Sequence, residues 1–277
     1  MSRTETSTRN ESLDRELSAL AAQRPELAPW LRPLGVSLRS LDDGTWDGVL
    51  PVCSQHRSAD QPVLHDAVVA VDGARVRAHV QAVLAAALAG AELTAASGLD
   101  QLALLERGVN RIDAELDSPA LIAAIHLAAI PLMITCARAA PAVTQWAHGY
   151  CHVCGGWAVL AEVLGLERTR QLRCGRCCAA WKTNVLVCPF CGESDHHKLG
   201  SLVPDGPQGQ ICWVETCGTC HGYIKTRATL RTMSAENVLI EDARTIDLDI
   251  VAAERGFTKP DHAARLAHLR LMTRGEN

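Results

Sequence analysis

Eight of the twelve cysteines in this 277-residue chain fall into four C-x-x-C pairs within seventy residues: Cys151/Cys154, Cys174/Cys177, Cys188/Cys191 and Cys217/Cys220. Two intervening residues let both sulfurs of a pair turn toward one ion, and four thiolates complete a tetrahedral site. Two metal-thiolate sites are therefore expected. A module of this size has too little apolar core to fold alone, so metal binding would supply most of its folding free energy.

The N-terminus, Met-Ser-Arg-Thr-Glu-Thr-Ser-Thr-Arg-Asn-Glu, lacks the basic-then-apolar order of a secretory signal. A cytoplasmic protein is expected, and in a reducing compartment paired cysteines are metal ligands more readily than disulfides. The longest uncharged run, Pro119 to Ala137, approaches the length of a membrane span, yet its alanine content, His126 and Pro131 favour a buried core helix and no membrane insertion. Residues 146–232 carry nine basic and six acidic side chains, a balance of +3 that is too weak to announce nucleic-acid binding.

Apolar residues recur at helical spacing through the first 145 residues, where Ala and Leu dominate. Helices are expected over 12–23, 25–38, 74–91, 99–109 and 119–139, the last capped by Ser118 and opened by Pro119, with Pro131 kinking it. Residues 42–62, rich in Gly, Asp, Ser and Pro, read as a loop. Composition changes near Trp146: seven of the ten aromatic residues lie between Trp146 and Tyr223. The expected organisation is a helical domain over 1–145, cysteine modules over 146–186 and 187–232, and a helical tail over 233–277. In that tail Glu241–Glu254 is the clearest helix and Gly256 its stop. The tail is expected to pack back on the N-terminal helices.

An internal repeat decides how the pairs combine. Cys151/Cys154 and Cys188/Cys191 are each followed by Gly (Gly155, Gly192), each leads to an expected hairpin, and Lys-Thr follows each closing pair at the same offset (Lys182-Thr183, Lys225-Thr226). This favours the first pair with the second and the third with the fourth. The nested alternative joins the second pair to the third across a ten-residue loop.

With all four positions filled by sulfur, neither site leaves a place for substrate or activated water, so no enzyme activity is expected. Zinc and iron both suit four thiolates, and Cys188-Pro189-Phe190-Cys191-Gly192 has the form of a rubredoxin knuckle. Cys178 could supply an alternative register with Cys174 or be a free thiol, while Cys212, Cys53 and Cys136 read as packing residues. His152 and His221 could replace a thiolate or serve as hydrogen-bonding groups, and His196-His197 reads as an exposed turn. Three functions suit the pattern: an interaction protein built on metal-folded ribbons, a nucleic-acid-binding ribbon using Arg168, Arg170, Arg173, Arg176 and Lys182, and a redox or electron-transfer protein.

The chain resembles the formate dehydrogenase accessory protein (FdhE) family. The resemblance rests on Tyr150-Cys151-His152-Val153-Cys154-Gly155, Leu172-Arg173-Cys174-Gly175-Arg176-Cys177 with Trp181, Val187-Cys188-Pro189-Phe190-Cys191-Gly192, and Glu215-Thr216-Cys217-Gly218-Thr219-Cys220 with Tyr223 and Lys225. It extends into Glu241–Asp249, and it departs from the family at His152, where Pro is usual. It implies an α+β protein: an all-α N-terminal domain, two tandem rubredoxin-like modules and a C-terminal helix. It further implies two metal ions on the eight paired cysteines, with iron favoured over zinc, and no catalytic residues. The role implied is that of a cytoplasmic maturation factor, chaperone-like, for the catalytic subunit of a formate dehydrogenase. A nucleic-acid partner is not implied, and a homodimer is compatible with it.

Overall fold

The structure is a computed structural model that describes residues 3–114, 116–143, 145–260 and 265–274. In chain order its elements are α1 (Arg3–Gln23), α2 (Ala28–Arg39), β1 (Pro51–Val52), β2 (Ala67–Val71), α3 (Gly73–Ala87), α4 (Gly90–Ser97), α5 (Gln101–Asn110) and α6 (Pro119–Ala139). There follow β3 (Ala158–Leu164), β4 (Thr169–Cys174), β5 (Ala180–Lys182), β6 (Leu199–Leu202), β7 (Cys212–Cys217), β8 (Tyr223–Thr229), α7 (Ala235–Arg244), α8 (Ile246–Glu254) and β9 (Leu269–Thr273). They form an α+β protein with two compact units: Met1–Gln55 with Leu64–Ala140 and Ala267–Asn277, and His56–Val63 with Pro141–Leu266.

The first unit is helical around α6, a helix long and apolar enough to cross a membrane, whose Ile125, Leu132, Met133 and Ile134 are buried among the packed helices. Ser118 caps it as its sequence suggested, its Oγ accepting from Leu121 N at 3.0 Å. Pro131 lies inside the helix, which continues through it. Proline has no N–H to offer the carbonyl four residues back, and that freed carbonyl, Leu127 O, accepts instead from Ser37 Oγ at 2.6 Å. The neighbouring Ala128 O pairs with buried His79 Nε2 at 3.0 Å. Gly108 on α5 is required where the helices meet, since a Cβ there would stand 2.3 Å from Ile125 O on α6.

The N-terminal part is helical but not all-α, because it carries a three-stranded sheet in the order β1-β2-β9. The segment expected to end the chain as helix supplies β9, which runs parallel to β2 from Ala67↔Leu269 to Val71↔Thr273. Its alternation of buried Leu269 and Leu271 with exposed Arg270 and Met272 has the period of a strand. Asn110 fixes its start, donating to Leu269 O and accepting from Leu269 N, both at 2.8 Å. Of the expected helical tail, residues 261–264 and 275–277 lie outside the described residues.

The second unit is built on a six-stranded sheet in the order β5-β4-β3-β8-β7-β6. The two cysteine repeats each give three antiparallel strands, β3-β4-β5 and β6-β7-β8, and they keep the same register. Gln171↔Lys182, Leu172↔Trp181 and Arg173↔Ala180 in one correspond to Val214↔Lys225, Glu215↔Ile224 and Thr216↔Tyr223 in the other. The repeats join head to tail, the first strand of one (β3) pairing in parallel with the last strand of the other (β8). The sheet edges are the short strands β5, of three residues, and β6, of four.

Helices α7 and α8, expected from the sequence to pack back on the N-terminal helices, belong to the second unit, where they pack on this sheet. The cause is a mixed apolar and ionic anchor. Ala252, Leu248 and Phe257 pack with Val214 and Tyr223, and buried Lys225 pairs with Asp242 and Asp249, each at 2.6 Å. Gly256 ends α8 with a positive φ of 81°.

Candidate metal centres

Four tight turns present the paired cysteines, and their backbone bonding repeats from module to module. In the opening turns Cys151 N donates to Gly156 O at 2.8 Å and Gly155 N to Cys151 O at 2.9 Å, matched by Cys188 N to Glu193 O at 2.8 Å and Gly192 N to Cys188 O at 3.0 Å. In the closing turns Cys174 N donates to Ala179 O at 3.0 Å and Cys217 N to Gly222 O at 2.9 Å. Backbone N–H groups of Val153, Arg176 and Gly222 point at the sulfurs of Cys151, Cys174 and Cys220, each at 3.4 Å, as suits thiolate acceptors.

These turns bring the sulfurs together as two sets: Cys151, Cys154, Cys174 and Cys177, and Cys188, Cys191, Cys217 and Cys220, with all ligand atoms of a set within 4.8 Å of one another. The nested pairing is not formed. The shortest contacts are 3.4 Å (Cys154–Cys174) and 3.6 Å (Cys151–Cys177) in the first set, and 3.7 Å (Cys188–Cys220 and Cys191–Cys217) in the second. A tetrahedral ion with metal–sulfur bonds of about 2.3 Å has sulfur–sulfur edges of about 3.8 Å, so both sets fit a four-thiolate ion.

The ionisation of the thiols argues the same way. In the first set burial pushes Cys151 and Cys177 well above the ordinary thiol range, whereas hydrogen bonds from Cys151, Cys174 and Cys177 hold Cys154 well below it. In the second set burial raises Cys188 and lifts Cys220 to about 11. At Cys217 burial is outweighed by hydrogen bonds from the backbone of Cys220 and Thr219, which lower it. Four thiolates in one cavity therefore require a cation to hold them ionised.

The remaining cysteines stand outside the sets. Cys178 and His221 are equivalent residues of the two closing turns, with left-handed φ of 56° and 55°. Cys178 is thus a turn residue, buried with its thiol pKa raised by that burial. Cys212 is buried against Glu241 and Arg227, and burial pushes it up to about 11. Burial lifts Cys136 to about 12. His152 supplies no ligand: its ring stands edge-on to Trp146 and Trp181, and burial lowers its pKa. His196 and His197 are exposed, with ligand atoms near that of Asp195.

Three of the five basic residues available for phosphate contacts are buried struts. Arg170 bonds to Glu215 at 2.7 Å and to the carbonyls of Asn184 and Val187. Arg173 pairs with fully buried Glu162 at 3.0 Å. Arg176 donates to Cys154 O at 3.1 Å beside the first set. Glu193, which sequence reasoning passed over, and Phe190 also shape the sites. Glu193 accepts from Thr219 Oγ1 at 2.6 Å, tying the two turns of the second set together, and this bond leads the contacts that hold its carboxyl down to about 2. Phe190 stands edge-on to Trp157, 5.5 Å between ring centres, linking the opening turns of both modules.

No protein-family model matches the chain, and no characterised protein matches it by sequence. Its structure is similar to the crystal structure of the FdhE protein from Pseudomonas aeruginosa, with a TM-score of 0.63 and 21% identity, over 92% of this chain and 94% of that one. The likeness spans nearly all of both chains and shows a common fold.

Proposed function

We propose that this protein is a cytoplasmic maturation factor that binds the catalytic subunit of a formate dehydrogenase and supports its assembly. The observation that carries the reading is the pair of four-cysteine sets on one sheet, in a chain that shares its fold with an FdhE protein over nearly its whole length and resembles that family around each C-x-x-C turn. The eight paired cysteines hold two metal ions. When bound, each ion supplies a closed tetrahedral cross-link, and iron would add a one-electron couple. The protein's own residues pin the turns: Glu193 joins those of the second set, Arg176 braces those of the first, and Lys225 fastens α7 and α8 to the sheet between them. With four sulfurs committed to each ion, the role is binding and not turnover.

The reading is tested in a strain lacking the gene and complemented with the intact chain or with Cys174→Ser. Formate dehydrogenase activity should fall in the deletion and return only with the intact chain, and the catalytic subunit should be captured by the tagged protein. Full activity without the gene overturns it. Elemental analysis with an absorption spectrum of anaerobically purified protein distinguishes ferric–thiolate colour from colourless zinc.

A further inference from the structure

Resting on the two-metal reading above, we infer that the second centre is an exchange site, where an external thiolate ligand enters past Cys191 and Cys220, while the first centre keeps its ion out of reach.

The repeat supplies the control, because the same turns hold both sets and only their surroundings differ. In the first set Cys151, Cys154 and Cys174 are 0% exposed and Cys177 2%. In the second, Cys188 and Cys217 are buried, but Cys191 and Cys220, the closing cysteine of each turn, are exposed. Equivalent positions explain the contrast. A Cβ on Gly155 would meet Arg265 O at 1.7 Å and Pro62 at 2.9 Å, whereas a Cβ on its counterpart Gly192 would meet nothing within 4 Å. Arg176, buried over the first set, corresponds to exposed Thr219, and Gly156, on which Arg176 lies, corresponds to half-buried Glu193. On the other side Cys188 and Cys217 line a cavity but are themselves only 4% and 1% exposed, with Gly149 packed against Pro189 O and Gly222 against Phe190. The edge most open to solvent is therefore Cys191–Cys220.

A four-coordinate zinc ion can expand to five, so an incoming ligand with access to the ion can bind before a resident one departs. At the second centre an external thiol gives its proton to solvent and binds as thiolate. Cys191 or Cys220 leaves as thiolate and takes a proton from solvent, and no electrons change hands. The fitting partner is a soft, cysteine-bearing or dithiol metal donor or acceptor.

The test uses the full chain loaded with zinc and challenged with dimercaptosuccinate, with bound ions counted by intact-mass spectrometry under native conditions. The two-ion form should decay to a one-ion form that persists about tenfold longer or more. Iodoacetamide added at that stage should label Cys188, Cys191, Cys217 and Cys220 and spare Cys151, Cys154, Cys174 and Cys177. Arg176→Thr, which installs the residue of the second centre at the first, should shorten the life of the one-ion form. Loss of both ions together, or a one-ion form labelled at the first set, overturns the inference while leaving two bound metals standing. A chain that holds no zinc before the challenge overturns the metal reading itself.

Discussion

Lys225 Nζ donates to Asp249 Oδ2 at 2.6 Å from a side chain that is 1% exposed, whereas Lys182, its equivalent in the first repeat, is exposed. Both lysines hold the same register position beside the central strand of their module. Their roles diverged because α7 and α8 cover only the second copy of that position.

Removing Lys225 takes the buried cation from Asp249 and Asp242 and leaves them only the exposed Lys259. Breaking a buried pair from one side costs about 3 kcal/mol, part of which Lys259 offsets, against about 0.5 kcal/mol or less for a surface change. Lys225→Met should therefore lower the denaturant midpoint of the second unit, and Lys182→Met should leave it unmoved.

The bond from Ser37 Oγ to Leu127 O exists because Pro131 cannot supply an N–H. Ser37→Ala should cost about 1–3 kcal/mol by stranding a buried carbonyl. In a Pro131→Ala background the new N–H takes that carbonyl, and the cost of Ser37→Ala should shrink. A double-mutant cycle by urea unfolding reads the coupling; strict additivity would rule out this account.

Burial lowers the pKa of His79 from 6.5, although the Ala128 carbonyl and Asp43 oppose the shift. A depressed folded pKa means that the unfolded chain takes up the proton first. The stability held by neutral His79 is complete above about pH 6.5 and is lost as pH falls through the folded pKa. Hydrogen-exchange protection of α6 should decline over that window, and His79→Gln should flatten the decline.

Withdrawing both ions should release the second unit and spare the first. Metal binding of about 10–16 kcal/mol exceeds what a small cysteine-rich sheet gains from its apolar core. After chelation, amides of β3–β8 should exchange freely while those of α3, α5 and α6 stay protected. Retained protection across β3–β8 would count against a structural role for the ions.

The cysteine sets were legible because ligand spacing is a local property, and the hairpins followed from the repeat. Ser118 and Gly256 were legible as helix ends for the same reason. β2 and β9 were not, because each is only five residues long and the parallel partner that completes it lies in a distant part of the chain. Arg170 and Arg173 read as candidate phosphate contacts because arginine is ordinarily exposed. Here every residue of β4 from Arg170 to Cys174 is buried, so both faces of the strand are covered and neither arginine reaches water. The docking of α7 and α8 depended on Lys225 meeting Asp249, an encounter that neither residue announces alone.

Head-to-tail joining gives each cysteine module an entry edge and an exit edge of opposite kind. A third module spliced after residue 232 would find β6 as its template and simply lengthen the array, with no rearrangement of the first two. In this chain β5 and β6 are themselves the margins, and their brevity limits stray edge-to-edge pairing with other chains.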